Sequence, residues 1–437
     1  MTIPPEPSPE LQSASHPEST PDPSVRHALP LVAALAVITI GLIAYTIGAL
    51  SADEVSVGDA PVGADVPSST VVSTASASPA STAMTAPTTT TTTTTTTVPA
   101  FPTDQRVMEL AFKISRDNLQ PKSIVASPDG RFVAQNMMYR HNVSVFDGDG
   151  ALLAEIDDTV DLEAFGVADG PVAKGSPVEA AFSPDGRHLY VSNYKMYGPG
   201  FNPIADDECE RGDWDDSYVY RIDMESYTID GVVAVGAVPK FLAVSPDGKW
   251  LVVSNWCGFD ASVIRTSDLT EVTRVNLGRH PRGIAIDADS RLTYVSVMGA
   301  GRIAVIDLNT ATEIESIEAG ISPRHLVLSP DGRSMYVSNN LQGGVRKIDL
   351  TGASPQVFIR TGERPRSMAL SEDGLSLYVV HYESGGMTKV ATADMRIVQR
   401  IDAGSGPVGI TYEPTSARIW VADYRGVLWV FDDRIPD

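Results

Sequence analysis

The stretch Pro281–Ile317, PRGIAIDADSRLTYVSVMGAGRIAVIDLNTATEIESI, reads as four short strands in succession. Pro281–Asp287 has the alternation of a strand, Asp289-Ser290 turns the chain, and Leu292–Val297 is a β-branched second strand. Arg302–Asp307 forms a third, Asp307–Thr310 turns again, and Thr312–Ile317 completes the unit. The unit recurs. Prolines stand at Pro239, Pro281, Pro323, Pro365 and Pro407, each 42 residues after the last, and Gly236, Gly278, Gly320, Gly362 and Gly404 keep the same interval. Looser copies start at Pro121 and Pro177, which makes seven. A period of about 40–50 residues with four strands per unit is the pattern of a β-propeller blade. The expectation is therefore an all-β, seven-bladed propeller over residues 104–437.

The last repeat has room for only three strands, Gly409–Glu413, Arg418–Ala422 and Val427–Phe431. Met108–Ile114, just ahead of the first repeat, can supply the fourth and so clasp the ring, removing an open sheet edge. Several first hairpins carry Ser-Pro-Asp-Gly: Ser127–Gly130, Ser183–Gly186, Ser245–Gly248 and Ser329–Gly332. Proline presets φ for the turn and Gly takes the left-handed position. These Asp residues, like Asp147-Gly-Asp149-Gly, therefore read as turn formers, and no metal ligands are expected.

Ser183-Pro-Asp-Gly-Arg-His-Leu-Tyr-Val-Ser-Asn193 and Ser329-Pro-Asp-Gly-Arg-Ser-Met-Tyr-Val-Ser-Asn339 resemble the YVTN-type β-propeller repeat. That family is common in secreted and surface proteins of prokaryotes and is grouped with seven-bladed lactonase-like propellers. The resemblance spans essentially all of 104–437, although the fourth and seventh repeats lack Ser-Pro-Asp-Gly. It implies the fold. No catalytic residue of the lactonase-like enzymes maps onto a position here, so catalysis is not implied, and no cofactor is.

Ahead of the repeats the chain is of another kind. Residues 1–27 are rich in Pro, Ser and Glu and read as a disordered cytoplasmic tail. Ala28–Leu50 is an uncharged apolar run of 23 residues, long enough for a transmembrane helix. A cleaved signal peptide is the competing reading; the acidic leader (Glu6, Glu10, Glu18, Asp22) favours an uncleaved anchor. Arg26 before the span, with Asp53 and Glu54 after it, puts the N-terminus in the cytoplasm and the propeller outside. Residues 51–103 form a Ser/Thr/Pro/Ala-rich linker with an unbroken threonine run, Thr88–Thr97. As a coil it would span roughly 40 Å, and about 160 Å if stiffened to a polyproline-like form.

Only two cysteines occur, Cys209 and Cys257, in corresponding loops of neighbouring repeats. Their spacing excludes zinc ribbons and c-type heme attachment. In an oxidising compartment they are expected to bridge. Cys209 lies in a long insertion whose segment Asp206–Asp216 is dense in carboxylates. It reads as a solvated acidic lid over the mouth; a Ca²⁺ role stays open, without EF-hand spacing.

The functional signal is a charge contrast. Eight of the 55 acids and one of the 33 Lys and Arg precede residue 104, so the repeat region carries 47 acids against 32 bases, net −15. Yet the residues after the seven repeat-starting prolines are Lys122, Val178, Lys240, Arg282, Arg324, Arg366 and Val408. Like charges about 10 Å apart repel by about 0.4 kcal/mol in water and ~1.7 kcal/mol at an effective dielectric near 20. A collar of Lys122, Lys240, Arg282, Arg324 and Arg366 calls for a compensating anion or for nearby carboxylates. The ends of the second strands, Asn193, Asn255, Asn339, His381 and Asp423, open on the same face, with His381 a further candidate contact. The chain thus reads as a monomeric, membrane-tethered binding module. Its partners would be an anionic small molecule, a glycan, single-stranded nucleic acid or an envelope protein. A lactonase-like hydrolase and a purely structural envelope role are the alternatives.

Overall fold

In a computed structural model the described residues are 101–436, apart from 138–139, 168–174, 196–208 and 210–213. The tail, the apolar run and almost all of the linker lie outside them, as does most of the acidic insertion. Among the described residues no helix is long and apolar enough to cross a membrane.

Seven four-stranded antiparallel sheets follow one another along the chain. Blades 1 to 6 take their strands consecutively, starting at Pro121, Gly175, Pro239, Pro281, Pro323 and Pro365. Blade 7 combines Pro407–Glu413, Arg418–Asp423 and Val427–Arg434 with Val107–Ser115 from the other end. The pairing runs antiparallel from Val107 opposite Arg434 to Ser115 opposite Val427. The expected clasp is what closes the ring. First strands of successive blades pack on one another, and that of blade 7 meets that of blade 1, so these strands surround the axis.

The second and third strands are almost wholly buried, whereas outer strands such as Thr312–Glu318 are largely exposed. Apolar clusters fill the wedges between blades; one joins Val252, Val263, Ile284, Val295 and Ile306 from blades 3 and 4.

The Ser-Pro-Asp-Gly hairpins act as expected. Ser245 Oγ donates to Asp247 (2.7 Å) while accepting from the Trp250 backbone N–H (3.0 Å), and Gly248 has φ of 74°. Ser371 and Asp373 repeat the device in blade 6. Blade 4 substitutes Asp287, which accepts from the backbone N–H groups of Arg291 and Leu292, and blade 7 uses Glu413 in the same way. Asp147 accepts from the N–H groups of Asp149 and Ala151, the turn role read from the sequence.

Candidate functional site

Each first strand enters the ring through a tight corner. Val238, His280, Ser322 and Arg364, the residues just before four of the prolines, have φ of 54°, 63°, 55° and 53°. Non-glycine residues pay about 1–2 kcal/mol for this region, and the corner is held by a repeated bond. The residue after the second strand donates its N–H to the carbonyl before the proline: Trp256 to Val238, Met298 to His280, Asn340 to Ser322, Tyr382 to Arg364 and Tyr424 to Gly406, at 2.9–3.1 Å. Two rings of side chains result. One holds the collar cations, and the other is largely aromatic or methionine.

The collar backbone is pinned from the neighbouring blade. Ser254, Ser296 and Ser338, the serines of the Tyr-Val-Ser-Asn-type strands, donate to the carbonyls of Arg282 (2.6 Å), Arg324 (3.0 Å) and Arg366 (3.2 Å), each 28 residues on. A motif that reads as strand-forming therefore also sets where the cations begin.

Those cations converge. Lys122, Lys240, Arg282 and Arg324 are buried, and Arg366 is half-buried. Burial pulls the Lys122 amine well below its usual range; repulsion from Arg282 adds to this, Glu179 opposes it, and Arg324 and Arg366 add again. A side chain on blade 1 thus senses cations on blades 4, 5 and 6, whose first strands line the same axis. Two of the arginines lie against the aromatic ring: Arg366 sits 4.0 Å from the Tyr382 centroid and Arg282 5.8 Å from that of Trp256. Trp256 in turn stacks on His280 at 4.2 Å. Val178 and Val408, both buried, leave an apolar gap on either side of blade 1.

Two residues that the sequence reading passed over lie in the same channel. Glu179 on blade 2 is buried and accepts a short hydrogen bond from Ser123 Oγ on blade 1. Burial pushes its carboxyl up, opposed by Lys122, by the Ser123 bond, and by Arg282 and Arg324. His325 on blade 5 meets Phe241 of blade 3 edge-on at 5.1 Å, although blade 4 stands between them. At the equivalent position of blade 4 stands Gly283, where an added Cβ would lie 2.5 Å from the Arg324 carbonyl oxygen. A signal for both was present: the residues two after the prolines are Ser123, Glu179, Phe241, Gly283, His325, Ser367 and Gly409, and two of the seven are ionisable.

His381 is not part of this cluster. It is buried at the end of its strand, and an added Cβ on Gly362 would touch its ring at 2.6 Å. It borders a groove of about 980 Å³ formed with Arg360, Gly362 and Arg400, between blades 5 and 6. The asparagines at matching strand ends turn into the protein. Asn255 donates to Asp260 and Ser262, Asn193 to Asp158, and Asn339 to the carbonyls of Ala319 and Ile321. They fasten loops.

Cys209 and Cys257 form a disulfide, with Cα atoms 5.6 Å apart. It packs with Val178, Met137 and Trp256 beside the mouth. Of the acidic segment, Asp216 is engaged by a bidentate contact from Arg274 at 2.9 Å.

Both channel and groove histidines are neutral. Burial, then Arg282 and Arg324, lowers His325 to about 3; burial lowers His381 to about 4, with a bond to the Gly386 backbone opposing and Arg400 adding. An unfolded imidazole titrates near 6.5, so below that pH the unfolded chain takes up protons that the folded one refuses. Stability is complete above pH 6.5 and falls as pH drops toward 4, by roughly 2 kcal/mol per histidine at pH 5. Glu179 acts in the opposite sense, since its raised carboxyl takes up a proton in the folded state first. Urea midpoints at pH 7.5 and 5.0 check this: the midpoint should fall, and should fall less in His325→Gln. An unchanged midpoint would mean that the imidazoles accept protons in place.

Comparison with known proteins gives two findings. The family model described as the Cytochrome D1 heme domain matches residues 287–432, from blade 4 into blade 7. A solved chain titled Kuenenia stuttgartiensis Hydrazine Synthase is similar with a TM-score of 0.58 at 19% identity, covering 74% of this chain and 98% of that one. At that identity the likeness shows the fold alone. No curated protein matches the chain.

Proposed function

We propose that this seven-bladed propeller is an extracytoplasmic, membrane-tethered binding module that takes a small anionic ligand into the mouth of its channel. The observation that carries this is the convergence of Lys122, Arg282, Arg324 and Arg366 on one axis within a net-acidic domain. Buried cations gathered against their own repulsion favour an anion, because charge-assisted hydrogen bonds recover what desolvation costs. The aromatic ring beneath Arg282 and Arg366 holds two guanidinium planes in position for it. The disulfide suits an oxidising compartment, in keeping with the apolar run Ala28–Leu50 and the stalk-like linker.

Isothermal titration of the full-length protein with inorganic phosphate and with citrate, at low and high NaCl, tests this reading. Binding should weaken with salt, as the screening length shortens from about 10 Å at 0.1 M to about 3 Å at 1 M. Arg282→Glu with Arg324→Glu should lower affinity by about 10–100-fold, the equivalent of about 1.5–3 kcal/mol for one charged hydrogen bond. Binding that survives the double reversal would end the proposal.

The family match raises heme chemistry as a second reading. A heme needs an imidazole nitrogen open to iron and mostly apolar walls. The unpaired nitrogens of His325 (Nδ1) and His381 (Nε2) are sealed from solvent, and the groove beside His381 is lined mainly by Gly, Ser, Arg and acidic residues. Neither of these two histidines fits a heme, and no redox step is derived through one. A lactonase-like hydrolase is the remaining enzymatic alternative, carried by the repeat motif alone.

A further inference from the structure

Among the buried cations, Lys122 stands apart. The residue is 7% exposed, yet its side chain forms no hydrogen bond or ion pair within the described residues. Nor is its amine one of the buried polar atoms shut off from solvent without a partner. It therefore faces the channel space. Next to it in sequence, Ser123 holds the Glu179 carboxyl through the short bond across the blade 1–blade 2 seam. Three guanidinium groups, those of Arg282, Arg324 and Arg366, lie near enough to act on the amine electrostatically. The apolar flank is provided by Val178 and Val408.

We propose that Lys122 is a nucleophilic amine that captures a small oxo acid, a carbonyl compound bearing a carboxylate, as a Schiff base inside the channel. This rests on the anion-binding reading and names the ligand class for the same site. The arginines would hold the carboxylate, which brings the carbonyl carbon to the amine. Desolvation and like charge are the two conditions that leave a lysine amine unprotonated and reactive near neutral pH, and the direction found for Lys122 agrees. Glu179, whose carboxyl is pushed toward its neutral form, is placed as the proton carrier.

The step balances without an oxidant or reductant. The Nζ lone pair forms a C–N bond to the carbonyl carbon, and the C=O π pair moves onto oxygen. A proton passes from nitrogen to that oxygen by way of Glu179, giving a carbinolamine. Glu179 in its acid form then protonates the hydroxyl, which leaves as water while nitrogen forms C=N. Glu179 is left as a carboxylate beside the iminium, and hydrolysis by the reverse path frees the lysine.

The test is reductive trapping on the full-length protein. Glyoxylate with sodium cyanoborohydride at pH 7.5 should add one reduced adduct per chain, mapped to Lys122 by peptide mass spectrometry. Lys122→Arg, checked for folding by its melting curve, should lose that adduct. Glu179→Gln should slow its formation about 100-fold or more, the usual scale for general acid–base assistance. Arg282→Glu with Arg324→Glu also protonates the amine more, so labelling by propionaldehyde, which has no carboxylate, should slow, and labelling by glyoxylate should slow at least about tenfold more. Adducts spread over surface lysines, with Lys122 no faster than the rest, would overturn the proposal. If phosphate still binds in a salt-sensitive, collar-dependent way in that case, the anion site stands and only the amine chemistry falls. If neither occurs, both fall.

Discussion

Asp433→Ala is expected to destabilise the propeller by about 3–5 kcal/mol, the usual cost of leaving one half of a buried ion pair behind. Lys389 on blade 6 and Asp433 on the last strand of blade 7 meet at 2.6 Å with both side chains at 0% exposure. Tyr378 donates its hydroxyl to the other Asp433 oxygen at 2.6 Å, and Lys389 also donates to the Arg106 carbonyl at 3.0 Å. The cluster thus ties blade 6 to the last strand and to the residue that leads into the clasping strand. Burial lowers the Lys389 amine, with Asp433 opposing, and raises the Tyr378 hydroxyl. Removing Asp433 strands a buried ammonium and a buried hydroxyl at the point of closure. Thermal melting at one fixed scan rate should show a drop of about 5–15 °C. Lys389→Met with Asp433→Leu should recover part of it, since the apolar pair removes the stranded ammonium while the Tyr378 hydroxyl stays without its acceptor. A single mutant that melts with the wild type would show that the clasp does not depend on this pair.

The second large effect concerns the disulfide. Cys209 and Cys257 are 48 residues apart in sequence, and cross-linking a loop of that length restricts the unfolded chain by about 4 kcal/mol in the chain-entropy treatment. Cys209→Ala with Cys257→Ala should cost about 2–5 kcal/mol by denaturant midpoint. Both cysteines are 2% exposed, packed with Trp256 and Val178. Alkylation without reductant should therefore leave them unmodified, and two labelled thiols by mass spectrometry would contradict the bridge. The same double mutant should leave the blade 6–blade 7 cluster untouched, so its cost should add to that of Asp433→Ala.

Much of the fold was legible because a blade is a local object. Its hairpins are written in short-range chemistry: serine and aspartate at the turns, a proline opening each first strand, β-branched residues between. Even the clasp follows from counting, since three strands in the last repeat and one spare at the start leave a single economical pairing. The cationic collar was legible for the same reason, one residue per repeat at a constant offset. Where the period carried no chemistry, the reading went astray. His381 shares a repeat position with the loop asparagines and lies on the same face, yet it packs behind Gly362 at the groove between blades 5 and 6, away from the collar.

The amino-acid sequence by itself determined the number of blades, the strands within each and the offset at which the cations recur, because all of these follow from neighbours along the chain or from simple periodicity. Only the tertiary structure decided which recurring side chains share one space. Closing the ring brings Lys122, Glu179, Arg282, Arg324, His325 and Arg366 together from five blades, and it takes most of their surface out of water. Distance across a channel has no counterpart in sequence separation, and desolvation depends on everything packed around a group. Both are properties of the closed ring.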